Sequence, residues 1–330
     1  MKSDFLLTIA IPTYNRLSKL KRLLENINNQ IFSFSEQIEL LISNNCSNDD
    51  TSIFLESLVA IKPNLTINIY NQDVNLGFDG NISFLYNTAK GKYVWFFADD
   101  DLLLPEAINN IVGTLKQEEP NILLFSFGQP RGSTSGVFNF NDVLSSFYRK
   151  KDLVELSTIC PKISIYILLK SQIAEEDSAF LETQFGYGWM HLALTLSVLN
   201  CCENPKLTII SKVLAECDDE FDMLRWSPNV IKDSYQVFKH PFVIKNYPNI
   251  LNNKINSAYI NTIQFCFAAK VGALRVFNIY EYDDLIEKLK FEKVLFLYPK
   301  SFFQVLLLKL KLTNIYLLLK KSFKKAYGIV

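Results

Sequence analysis

The nine residues YVWFFADDD, at positions 93–101, decide the fold of this 330-residue chain. The first six form an unbroken apolar run, which is typical of a strand buried on both faces of a parallel sheet. The last three are Asp99, Asp100 and Asp101, so the strand ends in a cluster of negative charge. Pro105 follows where a helix can begin, because the N–H that proline lacks has no partner in a first helical turn. The stretch therefore predicts a buried strand, an acidic turn and a helix.

Three similar units precede this one along the chain. Their apolar runs occupy residues 6–12, 38–43 and 65–70. Each run leads into a segment with helical periodicity, and four such units predict an open, mostly parallel α/β sheet flanked by helices. Ligands of open α/β sheets bind at the carboxyl ends of the strands. The polar segments 13–15, 44–50 and 99–101 all follow strands, so we expect them to meet at one edge of the sheet.

The composition indicates a globular chain without a global electrostatic field. Hydrophobic residues make up 49% of the sequence, enough for a substantial core. The 34 basic residues balance the 34 acidic ones, which predicts no nucleic-acid partner. The six cysteines lack CxxC spacing, which favours buried, reduced thiols over a zinc site or a disulfide framework. No apolar run approaches the ~20 residues of a spanning helix, so we expect a cytoplasmic protein.

The aspartate triplet needs a counter-charge. Two unit charges ~4 Å apart repel by about 1 kcal/mol in water and by about 4 kcal/mol at an effective dielectric constant of 20. Carboxylate oxygens suit Mg²⁺ or Mn²⁺, which bind one or two protein carboxylates and complete their shell with phosphates and water. The alternative is a solvated turn that caps the helix after Pro105.

Four segments, spread over roughly residues 6–116, resemble the donor-binding half of the family 2 glycosyltransferases of GT-A fold. They are IAIPTYNR at 9–16, IELLISNNCSNDDT at 38–51, NLGFDGN at 75–81 and AKGKYVWFFADDD at 89–101. The resemblance implies transfer of a sugar, with inversion, from a nucleotide-diphosphate sugar to a growing surface polysaccharide. It extends to enzymes of bacterial O-antigen and capsule synthesis, for which the acceptor is a glycan or a lipid-linked saccharide.

The resemblance also implies the donor-site residues. Pro12 and Tyr14 would line the nucleobase pocket, Asn45 would bond the base edge, and Asp99 would touch the ribose. Asp100 or Asp101 would hold the Mn²⁺ or Mg²⁺ ion. The full set expected to bind the nucleotide sugar is Pro12, Thr13, Tyr14, Asn15, Asn45, Asn75, Gly77, Asp79, Asn81, Asp99 and Asp100.

One departure from the family pattern leaves the identity of the donor's nucleobase undecided. The second-strand turn usually carries an acidic pair where this chain has Asn44 and Asn45. An amide both donates and accepts hydrogen bonds, whereas a carboxylate only accepts. Uridine is the default base of the donor, and thymidine, guanosine and cytidine remain alternatives.

The catalytic base has no clean motif. An inverting transferase needs a group that deprotonates the acceptor hydroxyl, and the family usually supplies a carboxylate. The corresponding region is residues 182–196, where His191 follows a glycine-flanked aromatic loop. An unperturbed histidine pKa near 6.5 suits a base at neutral pH, although a histidine beside apolar residues also packs readily into a core. Glu182 and Asp177 are the competing carboxylates.

The pattern predicts two regions. Residues 1–225 form the transferase domain, with 1–127 binding the nucleotide sugar and 128–225 facing the acceptor, and residues 226–330 form a mainly helical region. Residues 301–330 have no acidic residue and combine an apolar helical stripe with six lysines. This pattern is typical of a helix at a membrane surface, which would make the protein peripheral on the inner face of the membrane, or of a terminal helix docked on the body.

Other functions are less well supported. A sugar-1-phosphate nucleotidyltransferase needs a glycine-rich phosphate loop after the first strand, which residues 12–16 lack, and a dinucleotide oxidoreductase needs a GxGxxG motif. A non-catalytic protein that binds nucleotide sugars or glycans remains an alternative, because the sequence does not identify the catalytic base.

Overall fold

The computed structural model describes residues 5–61, 66–127, 136–139, 163–217 and 234–246. The chain divides into two compact units, Met1–Phe221 with His240–Phe242, and Asp222–Lys239 with Val243–Val330. The predicted boundary at 225 and the basic segment 301–330 lie outside the described residues. Within the described ranges, no helix is long and apolar enough to cross a membrane.

The described strands form one sheet, and helices connect most of them. The strands are β1 (Phe5–Thr13), β2 (Ile38–Asn44), β3 (Thr66–Asn71), β4 (Gly91–Phe96), β5 (Asp101–Leu103), β6 (Ile122–Phe127), β7 (Gly136–Asn139), β8 (Tyr166–Leu169) and β9 (Lys206–Cys217). The α-helices are α1 (Leu17–Ile31), α2 (Thr51–Ile61), α3 (Gly77–Thr88), α4 (Ala107–Glu118), α5 (Glu175–Glu182), α6 (Met190–Asn200) and α7 (Pro241–Asn246). Short 3₁₀ turns span Phe32–Phe34, Ile163–Ile165 and Ser234–Lys239.

The sheet has a parallel half and a mixed half. The strand order is β3-β2-β1-β4-β8-β6-β9-β5, and β7 pairs with β9. The first four strands are all parallel, which confirms the predicted α/β arrangement. Beyond β4, the strand β8 is antiparallel to both its neighbours, and β5 and β7 are antiparallel to β9. The short strands β5 and β8 are too brief to give a periodic signal in the sequence.

The core lies on both faces of the parallel half. Every residue of β2 is buried, as expected for a strand covered on both sides. The residues of α1 that recur at helical spacing are buried against the sheet, which confirms the predicted helical face. They are Leu20, Leu23, Leu24, Ile27 and Ile31.

A buried carboxylate joins three strands of this half. Glu39 in β2 is fully buried, and its oxygens accept hydrogen bonds from Thr8 Oγ1 and Asn68 Nδ2, both over 2.6 Å. The backbone N–H of Lys90 donates to Glu39 Oε2 over 2.9 Å. Thr8 Oγ1 in turn accepts from the N–H of Gly91 over 2.8 Å. The group is costly to bury unless it is fully bonded, so it fixes the register of β1, β2 and β3 and the start of β4.

Gly91 sits where a side chain has no room, which gives a test of this packing. A Cβ at Gly91 would lie 2.5 Å from the Thr8 backbone nitrogen, whereas a Cβ at Gly113 in α4 would meet nothing within 4 Å. We expect Gly91→Ala to lower the free energy of unfolding by roughly 1–3 kcal/mol through overpacking. The matched change Gly113→Ala should raise it by about 0.5–1 kcal/mol, because alanine favours an exposed helical position. Urea unfolding of both variants checks this, and equal effects would contradict the packing described.

Candidate active site

The carboxyl ends of β1, β2 and β4 lie side by side at one edge of the sheet. β1 pairs with β2 as far as Thr13 and Asn44, and with β4 as far as Ala10 and Phe96. Just beyond the strands, the backbone N–H of Asn45 donates to Thr13 O over 2.9 Å. The polar segments that follow these strands therefore meet, as the sequence predicts.

Asp99 is the hydrogen-bonding centre of this edge. Thr13 Oγ1 donates to its Oδ2 over 2.7 Å, and Arg16 Nη1 donates to its Oδ1 over 2.8 Å. The side chain is 3% exposed, and burial raises the pKa of its carboxyl, while Arg16 and Thr13 act in the opposite direction. Arg16 therefore brings a positive guanidinium to the aspartates, beside which the sequence analysis predicts Mg²⁺ or Mn²⁺. Arg16 has no assigned role in the sequence analysis, although it lies within the IAIPTYNR segment.

The other two aspartates have contrasting surroundings. Asp100 is 25% exposed, and its Oδ2 lies 3.3 Å from Arg16 Nη1. Asp101 is fully buried and begins β5, and Ser164 Oγ donates to its Oδ2 over 2.5 Å. The N–H of Ala98 donates to the same hydroxyl over 3.0 Å. Ser164 therefore anchors the acidic turn from the mixed half of the sheet, and the sequence pattern gave no sign of it because it lies far along the chain in a short 3₁₀ turn.

The turns after β1 and β2 hold each other. The N–H of Asn15 donates to Ser47 Oγ over 2.9 Å, and the N–H of Asn48 donates to Asn15 Oδ1 over 2.7 Å. Asn15 has a φ of 53°, a left-handed conformation that asparagine tolerates well. Beside it, the Tyr14 ring is 40% exposed and Pro12 is half-buried. This leaves an aromatic face open to a planar ligand.

Asn45 shapes the loop that opens α3. Its Nδ2 donates to Asn75 Oδ1 over 3.0 Å and to Gly77 O over 3.2 Å, and its Oδ1 accepts from Leu76 N over 2.8 Å. A carboxylate could not donate the first two bonds, which gives a physical reason for an amide at this position. Gly77 has a φ of +70°, which favours glycine. The predicted bond from Asn45 to a base edge would have to compete with these contacts.

Two residues predicted to bind the donor are buried within α3 instead. Asp79 is 3% exposed, and its carboxylate accepts the backbone N–H groups of Gly186, Gly188 and Met190 over 2.9, 2.7 and 3.0 Å. Burial raises the pKa of the Asp79 carboxyl, and these N–H bonds oppose that shift. Asn81 is 2% exposed, and its Nδ2 donates to a backbone carbonyl of β2 over 3.3 Å. Both side chains are therefore buried and bonded to backbone groups in this structure, and Asn81 Oδ1 is buried without a hydrogen-bond partner among the described residues. The donor-binding role expected of these two residues stays a prediction.

The candidate bases lie in different surroundings. Glu182 ends α5 and is exposed. His191, in the first turn of α6, is 1% exposed and enclosed by aromatic rings. The ring centroids of Phe78, Tyr166 and Trp189 lie 6.2, 5.5 and 5.9 Å from that of His191.

Asp177 belongs to a buried polar cluster with His240. Asn200 Nδ2 donates to both Asp177 oxygens over 3.1 and 3.2 Å, and His240 Nε2 lies 3.4 Å from Asp177 Oδ1. The N–H of Phe242 donates to His240 Nδ1 over 3.1 Å, and Ser197 Oγ lies 3.0 Å from His240 Nε2. The imidazole is therefore neutral with its proton on Nε2. The cluster resembles a Ser-His-Asp triad only in composition, since both the serine and the aspartate meet the same ring nitrogen.

Comparisons with known proteins agree with this geometry. The family model "Glycosyl transferase family 2" matches residues 8–175. Abequosyltransferase RfbV of Salmonella typhimurium is 27% identical over 285 residues, which are 79% of this chain and 84% of that protein. The GalNAc(5)-diNAcBac-PP-undecaprenol beta-1,3-glucosyltransferase of Campylobacter jejuni is 30% identical over 106 residues, 32% of this chain and 33% of that protein. The crystal structure of S. aureus TarS 1–349 in complex with UDP-GlcNAc has the same fold, with a TM-score of 0.57 at 14% identity, over 97% of this chain and 92% of that one.

The His240 cluster predicts how stability depends on pH. Burial lowers the pKa of His240 from 6.5 to about 4, so between these values the unfolded chain binds a proton that the folded chain excludes. Stability should therefore fall as the pH drops from 7.5 to 5, by about 2 kcal/mol. Burial raises the pKa of Asp177, which acts in the opposite direction at lower pH. Urea unfolding at both pH values should show this loss in the wild type and a smaller loss in His240→Asn, and equal losses would contradict a neutral, buried His240.

Proposed function

Because the chain belongs to glycosyl transferase family 2, we propose that it transfers one sugar from a nucleotide-diphosphate sugar. The transfer would proceed with inversion, and the acceptor would be a growing, lipid-linked surface polysaccharide. It is a glycosyltransferase of GT-A fold, related to the transferases of O-antigen and teichoic acid. The main support for the proposal is that Arg16 and Thr13 both donate hydrogen bonds to Asp99, just after the end of β4.

A nucleotide-diphosphate donor suits this edge in shape and charge. The exposed Tyr14 ring can stack on a base, and the half-exposed guanidinium of Arg16 can reach a phosphate. Asp99, held at both oxygens, can accept a ribose hydroxyl only where a lone pair remains free. The related TarS fold binds UDP-GlcNAc, which supports a nucleotide sugar as the donor. Uridine is the base that we propose, with thymidine, guanosine and cytidine as the alternatives to test.

A divalent cation fits the acidic turn as a partner of the donor. The ion pairs of Arg16 bring one positive charge to a turn with three carboxylates. Among the described residues, no three His, Cys, Asp or Glu side chains are grouped to hold a metal alone. Mg²⁺ and Mn²⁺ need only one or two protein carboxylates when a diphosphate completes the shell. In the proposal, the partly exposed Asp100 would hold the ion, and the fully buried Asp101, bonded to Ser164, would keep the turn in place. The ion would supply positive charge beside the departing nucleoside diphosphate.

The protein's own residues supply position and proton transfer. Thr13 and Arg16 hold Asp99 in place. The hydrogen bonds between Asn15 and residues 47–48 hold the turn that contains Tyr14. In an inverting reaction, the acceptor oxygen attacks the anomeric carbon while a base takes its proton. Glu182 has an exposed carboxylate, and His191 lies beside Phe78 in α3, so these two are the bases to compare. Asp177 is occupied by Asn200 and His240.

The acceptor that we propose is a saccharide linked to a lipid. It draws on the Campylobacter relative, whose name specifies an undecaprenol-diphosphate saccharide. The basic segment 301–330 would bring the enzyme to an anionic membrane surface. Such a location on the inner face of the membrane would place the donor site beside the acceptor pool.

Nucleotide binding tests the donor site directly. We expect one of UDP, TDP, GDP and CDP to raise the Tm in the presence of Mn²⁺, because a ligand that binds only the folded state stabilises it. Asp100→Asn should weaken Mn²⁺-dependent nucleotide binding by roughly tenfold or more, since it removes a charged metal ligand. Glu56→Gln, which changes an exposed carboxylate on α2, is the matched control and should bind as the wild type does. Titration calorimetry measures both affinities.

Turnover separates an enzyme from a binding protein. Donor hydrolysis with Mn²⁺ should be measurable in the wild type and should fall at least tenfold in Asp101→Ala and in the variant of the true base, Glu182→Gln or His191→Gln. Nucleotide binding without metal-dependent turnover in the wild type would favour a non-catalytic binding protein. Release of inorganic pyrophosphate from a nucleoside triphosphate and a sugar phosphate would favour a nucleotidyltransferase.

A further inference from the structure

One carboxylate joins α3 to the segment that follows α5. Asp79 lies in the first turn of α3, two residues after Gly77, which belongs to the loop held by Asn45. Its Oδ2 accepts from the N–H groups of Gly186 and Gly188, and its Oδ1 accepts from Met190 N. These three donors lie more than 100 positions further along the chain. Bonds to a buried carboxylate are strong, so residues 186–190 are fixed against α3.

The backbone of this segment depends on the same contacts. Gly186 and Gly188 have φ values of 92° and 80°, a conformation that glycine adopts without strain. With two such residues the N–H groups turn inward and converge on one anion. Met190 N belongs to the first turn of α6, where backbone N–H groups have no partner within the helix. Asp79 supplies that partner from outside the helix.

Two exposed aromatic rings and the candidate base His191 lie next to the residues that Asp79 joins. Phe185, just before it, is 49% exposed, and the ring would lie 3.7 Å from a Cβ at Gly80 in α3. Phe78, the residue before Asp79, is 42% exposed, and its ring contacts that of His191 edge-on. Two exposed aromatic rings therefore flank the Asp79 contacts, and His191 follows directly after Met190.

We propose that Asp79 is a positioning residue of the transferase: its carboxylate holds residues 186–190 against α3, and so sets the place of His191 and Phe185 relative to the bound donor. This inference rests on the proposed function for its catalytic consequence, but not for its structural part. It replaces the role of donor ligand that the sequence suggests for Asp79. The turn at 13–16, where we propose that the nucleotide binds, is held by bonds to Asp99 and Ser47, none of which involves Asp79.

Amide hydrogen exchange tests the structural part without any ligand. In Asp79→Asn, the amide oxygen can keep some of the three bonds and the NH₂ group repels the rest, so peptides covering 186–190 should exchange roughly tenfold faster or more. Asp79→Ala, which removes all the acceptors, should exceed that effect. Peptides from α4, and the variant Glu25→Gln with an exposed carboxylate on α1, are the controls and should match the wild type. Unchanged exchange at 186–190 in both Asp79 variants would overturn the proposal.

Kinetics tests the catalytic part. In donor hydrolysis with Mn²⁺, Asp79→Asn should lower kcat at least tenfold and leave the KM for the donor and the affinity for UDP within about twofold. Loss of UDP affinity in parallel with kcat would place Asp79 in the donor site, and an unchanged kcat would deny it a positioning role; either result overturns the proposal. If the wild type neither binds nucleotides nor turns over, the proposed function fails, and the exchange data still decide the structural part.

Discussion

The site depends on the hydrogen bonds and the ion pair that stabilise two buried carboxylates after the end of β4. Asp99 and Asp101 lie almost entirely out of water, where an unpartnered charge is very costly. Thr13 and Arg16 bond the first, and Ser164 bonds the second. These partners come from the end of β1, the turn after it and the 3₁₀ turn before β8, so the hydrogen bonds of two buried aspartates hold both halves of the sheet at one point. The positions of Tyr14 and Asp100 follow from that requirement.

The parallel half of the fold can be predicted from the sequence, because its strands and helices each leave a local pattern of apolar residues. The runs expected at 6–12 and 38–43 appear as β1 and β2, and α1 buries the residues that recur at helical spacing. The mixed half is not readable in this way. β5 and β8 have three and four residues, and their pairing with β9 and β4 links positions far apart in the chain. No period in the sequence records such a pairing.

The same contrast holds for the candidate site: where its residues lie could be predicted from the sequence, and what their side chains contact could not. Proximity of Thr13, Asn45 and Asp99 could be predicted, since all three follow strands that end at one edge. Side-chain direction could not, because it depends on contacts made after folding. Asp79 and Asn81 lie in a segment that resembles a donor loop, yet each turns inward to bond backbone groups. Arg16 and Ser164 went without roles because each acts through a partner that sequence spacing alone does not identify.

The place of β8 in the sheet has a consequence during synthesis of the protein. β8 lies between β4 and β6, although β6 leaves the ribosome first. When residues up to 127 have left the ribosome, β1 to β4 can pair as four parallel strands, but β4 still lacks its neighbour β8, residues 166–169. An open strand edge is a template for wrong pairing. The parallel half therefore keeps an exposed edge at β4 until β8 has been made, which is the stage of synthesis at which wrong pairing is easiest.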